Sequence, residues 1–348
     1  MRQPVIGWDI GGAHLKAALF DTQGQLVRVV QQVCPLWLGL DQLHNALRAI
    51  LAEFDQDLAL HAITMTGELV DLFSNRESGV REILSAMASM MTPESMMIFA
   101  GRDGFIHYAD LSTEFYPAIA SANWLATLRY LALQRADGLL IDIGSTTTDI
   151  LLFQNHREQA IGFTDYERLV SGELIYTGII RTAVMAVAQR AVFNGQEQGL
   201  MAEYFATMAD VYRLTGELNE VHDQTQSADG GDKTLVASAL RLSRMTGYDF
   251  VETDLERWRQ FAVYLRNRQL QLIQFGCERQ LSRQLLTSGS CFVGAGVGRF
   301  LVKRLADQLG YAYLDFDDFF TEYSSPISLL AADCAPAVAV AQLLCNEC

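Results

Sequence analysis

The sequence predicts an α/β protein in which one plan is written twice. The first copy is GWDIGGAHLKAALF, residues 7–20, where two apolar runs flank an aspartate and a glycine pair. The second is GLLIDIGSTTTDILLF, residues 138–153, with the same aspartate–x–glycine break between two apolar runs. Between and after these copies, apolar residues recur at helical spacing, so strands alternate with helices.

The elements follow in order. Residues 5–10 and 15–20 read as two strands joined by a tight glycine turn, and LVRVVQQV as a third. LDQLHNALRAILAEF places Leu43, Leu47, Ile50 and Leu51 on one helical face. AITMTG reads as a strand ending at a glycine, GVREILSAMASMM as a helix and SMMIFA as another strand. ASANWLATLRYLALQRA is a helix that leads into the second copy, after which QAIGF would supply a third short strand. Residues 172–285 read as mostly helical, broken by the polar stretch NEVHDQTQSADGGD. SCFVGAGVGRFLVKRLADQLG reads as strand, glycine-rich turn and helix, and DCAPAVAVAQLLCNEC as a closing helix. The expected domains are 1–115, completed by the helix at 333–348, and 116–332, with the helical insertion at about 172–285.

Half of the 348 residues are apolar and 19% are charged, enough for a large core. Acidic residues number 41 against 26 basic ones, a formal charge of −15. That field argues against nucleic acid or an anionic membrane as partner. An anionic ligand would need local amide donors and a divalent cation. The chain opens on no secretory signal pattern and carries no secure membrane span. Its six dispersed cysteines read as reduced thiols, so a cytoplasmic protein is expected. Cys345 and Cys348 form a C-x-x-C, but no second pair stands at zinc-finger spacing. Monomer and homo-oligomer are equally compatible with this composition.

A strand ending in D-x-G-G or D-x-G-S offers successive backbone N–H groups at a tight turn. Glycine there lets the backbone approach a ligand and take positive φ, and such amides make an anion-binding concavity. Gly11 and Gly12 serve the first loop; Gly144, Ser145, Thr146 and Thr147 serve the second. Asp9 and Asp142 repel phosphate unless each holds a metal ion or a metal-bound water, and Mg²⁺ is the expected ion. Asp149 either joins them or orients the threonine loop. Either loop alone could be a hairpin whose glycines serve only the turn. Together they read as a metal–polyphosphate clamp across a cleft. Lys16 sits among apolar neighbours, where an unpaired ammonium is costly, so it is expected to face phosphate. Gly294 and Gly296, in GAGVGR before a helix, would bring a third stretch of backbone to the ligand. The spacing matches neither a dinucleotide fingerprint nor a P-loop.

These loops resemble the two phosphate loops of the actin, sugar kinase and Hsp70 superfamily. DIGSTTTDI with TMTGEL (64–69) resembles the hydantoinase/oxoprolinase branch more closely. Within it, GWDIGGAHLKAA, YTGIIRTAV (176–184), ADG around Asp229 and RLSRMTGYD (241–249) are similar to a group linked to methanopterin and methanofuran C1-transfer chemistry. The matching blocks run in order over about residues 5–300. His14 departs from the pattern, standing where related sequences commonly carry asparagine or threonine.

The resemblance implies an actin/sugar-kinase/Hsp70-like pair of ribonuclease-H-like domains with an interdomain cleft. It implies a transferase that joins the phenol oxygen of γ-glutamyltyramine to an (aminomethyl)furanylmethyl group and releases diphosphate. Glu68, after a strand-ending glycine, is the first candidate for the base, with Asp71 second and Lys16 as the cation on the leaving group. Glu68 could also cap a helix or bind a positive substrate group. Beside the glycines, His14, Arg181 and the loop hydroxyls are candidate phosphate ligands. Asp229, Arg241 and Arg244 are candidate substrate contacts, or partners of one another. His222 and Asp223 share their loop with Asp229 and could hold a metal or form a solvated turn. Two other functions are compatible: an ATP-dependent kinase or ATPase of the same fold, and a noncatalytic scaffold in C1-cofactor biosynthesis.

Overall fold

A computed structural model describes residues 3–54, 58–287, 289–320, 323–324 and 329–347. The first half of the chain runs β1 (Val5–Ile10), β2 (His14–Phe20), β3 (Leu26–Val33), α1 (Leu40–Phe54), β4 (Leu60–Met65), α2 (Arg76–Ala88), β5 (Met96–Phe99), β6 (Phe105–His107), the single turn α3 (Tyr116–Ile119) and α4 (Asn123–Gln134). The second half runs β7 (Gly138–Ile143), β8 (Thr148–Gln154), β9 (Arg157–Glu158), α5 (Asp165–Ser171), β10 (Leu174–Ile175), α6 (Val184–Val187), β11 (Arg190–Phe193), β12 (Gln196–Gly199), α7 (Met208–Thr215), α8 (Leu235–Thr246), α9 (Leu255–Leu281), β13 (Cys291–Ala295), α10 (Arg299–Leu309), β14 (Ala312–Asp315) and α11 (Ala335–Glu347).

The two sheets are ordered β3-β2-β1-β4-β5-β6 and β10-β8-β7-β13-β14, with β9 paired to β8. In each, the strands of the repeated plan lie third, second, first, and later strands continue beside the first. This repeated strand order agrees with the expected pair of ribonuclease-H-like domains. Contacts divide the chain into unit 1 (1–140, 151–170 and 314–348) and unit 2 (141–150 and 171–313). The sequence-based boundary at 115 falls earlier than this division, because α4 packs on α11 and β4 of the first unit.

Strand alternation gives the unit 1 sheet two buried faces. Ile6, Trp8 and Ile10, with Leu15, Ala17, Leu19, Ile63 and Met65, join Leu43, Leu47 and Ile50 of α1 and Val80, Ile83 and Met87 of α2 in one buried core. The opposite face carries the small row Gly7–Ala18–Ala62 in register across three strands. A Cβ at Gly7 would lie 2.0 Å from the Ala337 carbonyl oxygen, so its absence lets α11 lie directly on the sheet. One pleat further along that face stand Lys16, Asp9 and Thr64, again in register.

Two expectations are corrected. QAIGF is not a strand: Phe163 and Thr164 donate their N–H groups to the Glu167 carboxylate at 2.9 and 3.1 Å, at the start of α5, and β10 takes the place beside β8. The region 172–285 is not uniformly helical, because RAVFNGQEQG forms the hairpin β11–β12. Its Asn194 and Gly195 both take positive φ, as a two-residue hairpin turn requires.

Candidate functional site

The first loop closes where the Gly11 N–H donates to the His14 carbonyl at 3.0 Å. It rests on the TMTGEL segment: a Cβ on Gly12 would meet Val70 at 2.8 Å, and one on Gly67 would meet the Ile10 and Gly11 carbonyl oxygens at 3.1 and 3.2 Å. Asp9 and His14 are buried and Lys16 is half-buried. Lys16 Nζ donates to the Asp333 carbonyl at 2.6 Å, just before α11. Asn123, the first residue of α4, donates to Asp9 Oδ1 at 3.3 Å. The sequence reading missed Asn123, which lies 114 positions from its partner with only its place at a helix start to mark it.

Glu68 is buried, with 1% of its surface exposed. Its Oε1 accepts from Ser121 Oγ at 2.7 Å, and Oε2 has no hydrogen-bond partner among the described residues. Desolvation by burial pushes the carboxyl above its ordinary range, opposed by the Ser121 hydrogen bond and the charge of Arg76. Ser121 Oγ also lies 3.2 Å from Asp165 Oδ2, which is paired with Arg76 at 2.6 Å, while Arg168 lies 3.7 Å from the other Asp165 oxygen. The Arg168 guanidinium lies over the Trp124 ring, 4.2 Å from its centroid. Asp71, the second candidate base, is exposed on the following turn.

In unit 2 the second loop is layered on the segment after β10. The Gly144 carbonyl accepts from Ile179 N–H at 3.1 Å; the Ser145 carbonyl accepts from Ile180 and Arg181 at 3.1 and 2.9 Å. Gly178 makes this layering possible, since a Cβ there would lie 2.4 Å from Thr146 N. Beneath it, Gln269 of α9 donates to Thr177 Oγ1 and the Gly178 carbonyl at 2.7 and 2.8 Å, and Tyr212 of α7 donates to Gln269 at 2.6 Å. Thus Asp142, Gly144, Ser145, Thr146, Thr147 and Asp149 are half-buried on a braced loop, and Arg181 is exposed at its edge.

The glycine-rich turn joins the same loop. Gly298 N–H donates to the Ile143 carbonyl at 2.8 Å. Gly296 has φ +76°, and a Cβ there would lie 2.3 Å from Asp142 Oδ1. Gly294 packs against Tyr313. The structure therefore brings Gly294, Gly296, Asp142, Gly144, Ser145 and Arg181 together within unit 2.

Asp229, Arg241 and Arg244 are engaged with one another. Arg241 is fully buried and pairs with Asp210 at 2.6 Å and Asp229 at 3.1 Å; Arg244 meets Asp229 at 3.0 Å. Asp223 is not part of a solvated turn: it is buried and pairs with Arg213 at 2.5 Å and Lys233 at 3.2 Å, with His222 buried beside it. Among the described residues no group of three or more His, Cys, Asp or Glu side chains is placed to hold a metal. Cys345 is buried, and Cys348 of the C-x-x-C lies outside the described residues. No described helix is long and apolar enough to cross a membrane.

A sequence model described as hydantoinase/oxoprolinase matches residues 60–338, well over half of the chain. The chain belongs to the hydantoinase/oxoprolinase family. This family member is 27% identical over 345 residues, 99% of its own length and 98% of the relative's, to the (4-{4-[2-(γ-L-glutamylamino)ethyl]phenoxymethyl}furan-2-yl)methanamine synthase of Methanocaldococcus jannaschii. A synthase of the same name from Methanococcus vannielii is 31% identical over 107 residues, 31% of this chain and 48% of that protein. Among solved structures, the activator of the 2-hydroxyisocaproyl-CoA dehydratase from Clostridium difficile shares 10% identity at a TM-score of 0.48, covering 99% of this chain and 95% of that one.

Proposed function

We propose that this hydantoinase/oxoprolinase family member is a transferase of methanofuran-type cofactor biosynthesis that forms an aryl ether. The phenol oxygen of γ-glutamyltyramine attacks the methylene carbon of an (aminomethyl)furanylmethyl diphosphate. The carbon–oxygen bond to diphosphate breaks, and the phenol proton leaves to a base. The observation that carries this reading is the end-to-end similarity to a synthase whose name contains a phenoxymethyl–furan link.

The site supports the reading through its leaving-group chemistry. Lys16 is the cation of the first loop, and the backbone around Gly11, Gly12 and His14 is proposed to meet phosphate oxygens. In unit 2 the same role is proposed for Gly144, Ser145, Thr146, Thr147, Arg181, Gly294 and Gly296. Asp9, Asp142 and Asp149 are the candidate carboxylates for Mg²⁺. Single carboxylates near strand ends suit an ion held by one or two protein oxygens, with phosphate and water completing its shell. When bound, Mg²⁺ supplies positive charge that stabilises the departing diphosphate. The furan ring stabilises positive charge at the methylene carbon, so departure can run ahead of attack.

Glu68 is the proposed base, because it is buried, follows the loop-packing glycine Gly67 and keeps one oxygen without a hydrogen-bond partner among the described residues. Asp71 is the weaker choice on account of its exposure. The pairing of Arg241 and Arg244 with carboxylates argues for a bracing role and leaves Asp229, Arg241 and Arg244 the least supported substrate contacts.

The test is a release assay with purified protein and Mg²⁺. Diphosphate should appear only when the furanylmethyl diphosphate and γ-glutamyltyramine are both present, in step with ether detected by mass. Robust ATP turnover to phosphate, with no ether, would instead make the protein an ATP-dependent kinase or ATPase.

A further inference from the structure

We infer that Ser121 and Asp165 are positioning residues that set when Glu68 holds a proton. Its catalytic meaning rests on the proposed use of Glu68 as the base; the geometry does not. The Ser121 hydroxyl lies within reach of two carboxylates at once, 2.7 Å from Glu68 Oε1 and 3.2 Å from Asp165 Oδ2. A hydroxyl carries one proton to donate and has lone pairs to accept with. With Glu68 ionised, Ser121 donates to it. With Glu68 protonated, Glu68 donates to Ser121 Oγ, and Ser121 turns its own proton to Asp165. Rotation of one hydroxyl thus satisfies both states of Glu68.

Asp165 is the second acceptor in this exchange, and two arginines hold it in place. Arg76 of α2 holds one oxygen at 2.6 Å, and Arg168 of α5 stands 3.7 Å from the other. In the adjoining β1–β2 segment, Asp9 accepts from Asn123 and Lys16 donates to the Asp333 carbonyl. Ser121 itself is buried and has φ +52°, a conformation that non-glycine residues rarely adopt. The backbone accepts this conformation where it delivers a hydroxyl between two carboxylates. The remaining Glu68 oxygen, Oε2, is the buried atom left to take a substrate proton.

The two neighbours act on Glu68 with opposite sign, which gives a test that a purely structural role does not mimic. Infrared titration of the substrate-free full chain would follow the Glu68 carboxyl band, assigned by its loss in Glu68→Gln. Ser121→Gly suits the positive φ and removes the hydroxyl; it should raise the midpoint by up to about one pH unit, because the lost hydrogen bond is stronger to the ionised carboxylate than to the protonated carboxyl. Asp165→Asn removes the neighbouring acidic group and should lower it. The acid limb of ether formation against pH should move in the same directions. Midpoints that stay fixed, or move the same way in Ser121→Gly and Asp165→Asn, overturn the inference. Opposed midpoint shifts in a protein that makes no ether uphold the hold on Glu68 and reject the proposed reaction.

Discussion

Asp9 stands directly opposite Lys16 on the antiparallel pair β1–β2, so the two side chains leave the same face of the sheet. Thr64 continues the row on β4. The row lies one pleat beyond Gly7, Ala18 and Ala62, the small residues that seat α11, and Lys16 reaches the carbonyl of Asp333 just before that helix. The candidate anion-binding lysine is thus fixed by the same packing that closes unit 1. Lys16→Met should weaken binding of the furanylmethyl diphosphate about tenfold to a hundredfold, the range for losing a hydrogen bond to a charged group. Calorimetric titration with the diphosphate and Mg²⁺ measures this, and unchanged affinity would remove Lys16 from the site.

Gly296 should tolerate no side chain. Its φ of +76° disfavours any L residue, and a Cβ would overlap Asp142 Oδ1. Gly296→Ala should cost about 1–3 kcal/mol of stability and also displace the Asp142 carboxylate. Denaturant unfolding reads the first effect, and Mg²⁺-dependent diphosphate binding reads the second.

Arg241 makes a prediction of a different kind. It is fully buried between Asp210 and Asp229, and its removal leaves the Asp210 charge buried with one partner fewer. Arg241→Ala should destabilise the protein by about 3–5 kcal/mol. Loss of substrate affinity at unchanged unfolding free energy would instead return Arg241 to the substrate.

His61 ties stability to pH. It accepts the Trp8 indole N–H at 3.0 Å, and desolvation by burial lowers its pKa from 6.5 to about 4. A histidine whose folded pKa is depressed stabilises the native state above its unfolded pKa and loses that contribution as pH falls. Between pH 6.5 and about 4 this residue should therefore withdraw up to ~3 kcal/mol. Unfolding curves of wild type against His61→Gln across that window should converge or cross as pH drops. Parallel curves would show that His61 titrates normally.

Much of this architecture was legible in the chain because its signals are local. The two aspartate–glycine loops, the helix at 40–54 and the strand–turn–helix around Gly294–Gly298 are written in consecutive residues. Local signals also misled: QAIGF has the composition of a strand, yet Glu167 captures its N–H groups for α5. Asn194-Gly195 was a hairpin signal overlooked in a region read as helical. The surroundings of Glu68 were out of reach for another reason. Ser121 lies 53 positions from Glu68, and Asp165 a further 44 beyond Ser121; no periodicity records such a meeting. For Arg241 the sequence left two readings open, and the decision depended on Asp210, 31 positions away.

The central claim is that carbon is attacked rather than phosphorus, and the fate of the phenol oxygen tests it most directly. γ-Glutamyltyramine labelled with ¹⁸O at the phenol would be incubated with the furanylmethyl diphosphate, Mg²⁺ and the protein. The account predicts the label in the ether product and unlabelled diphosphate released in equal amount. Label found in a phosphate ester of the phenol, with no ether formed, would contradict it.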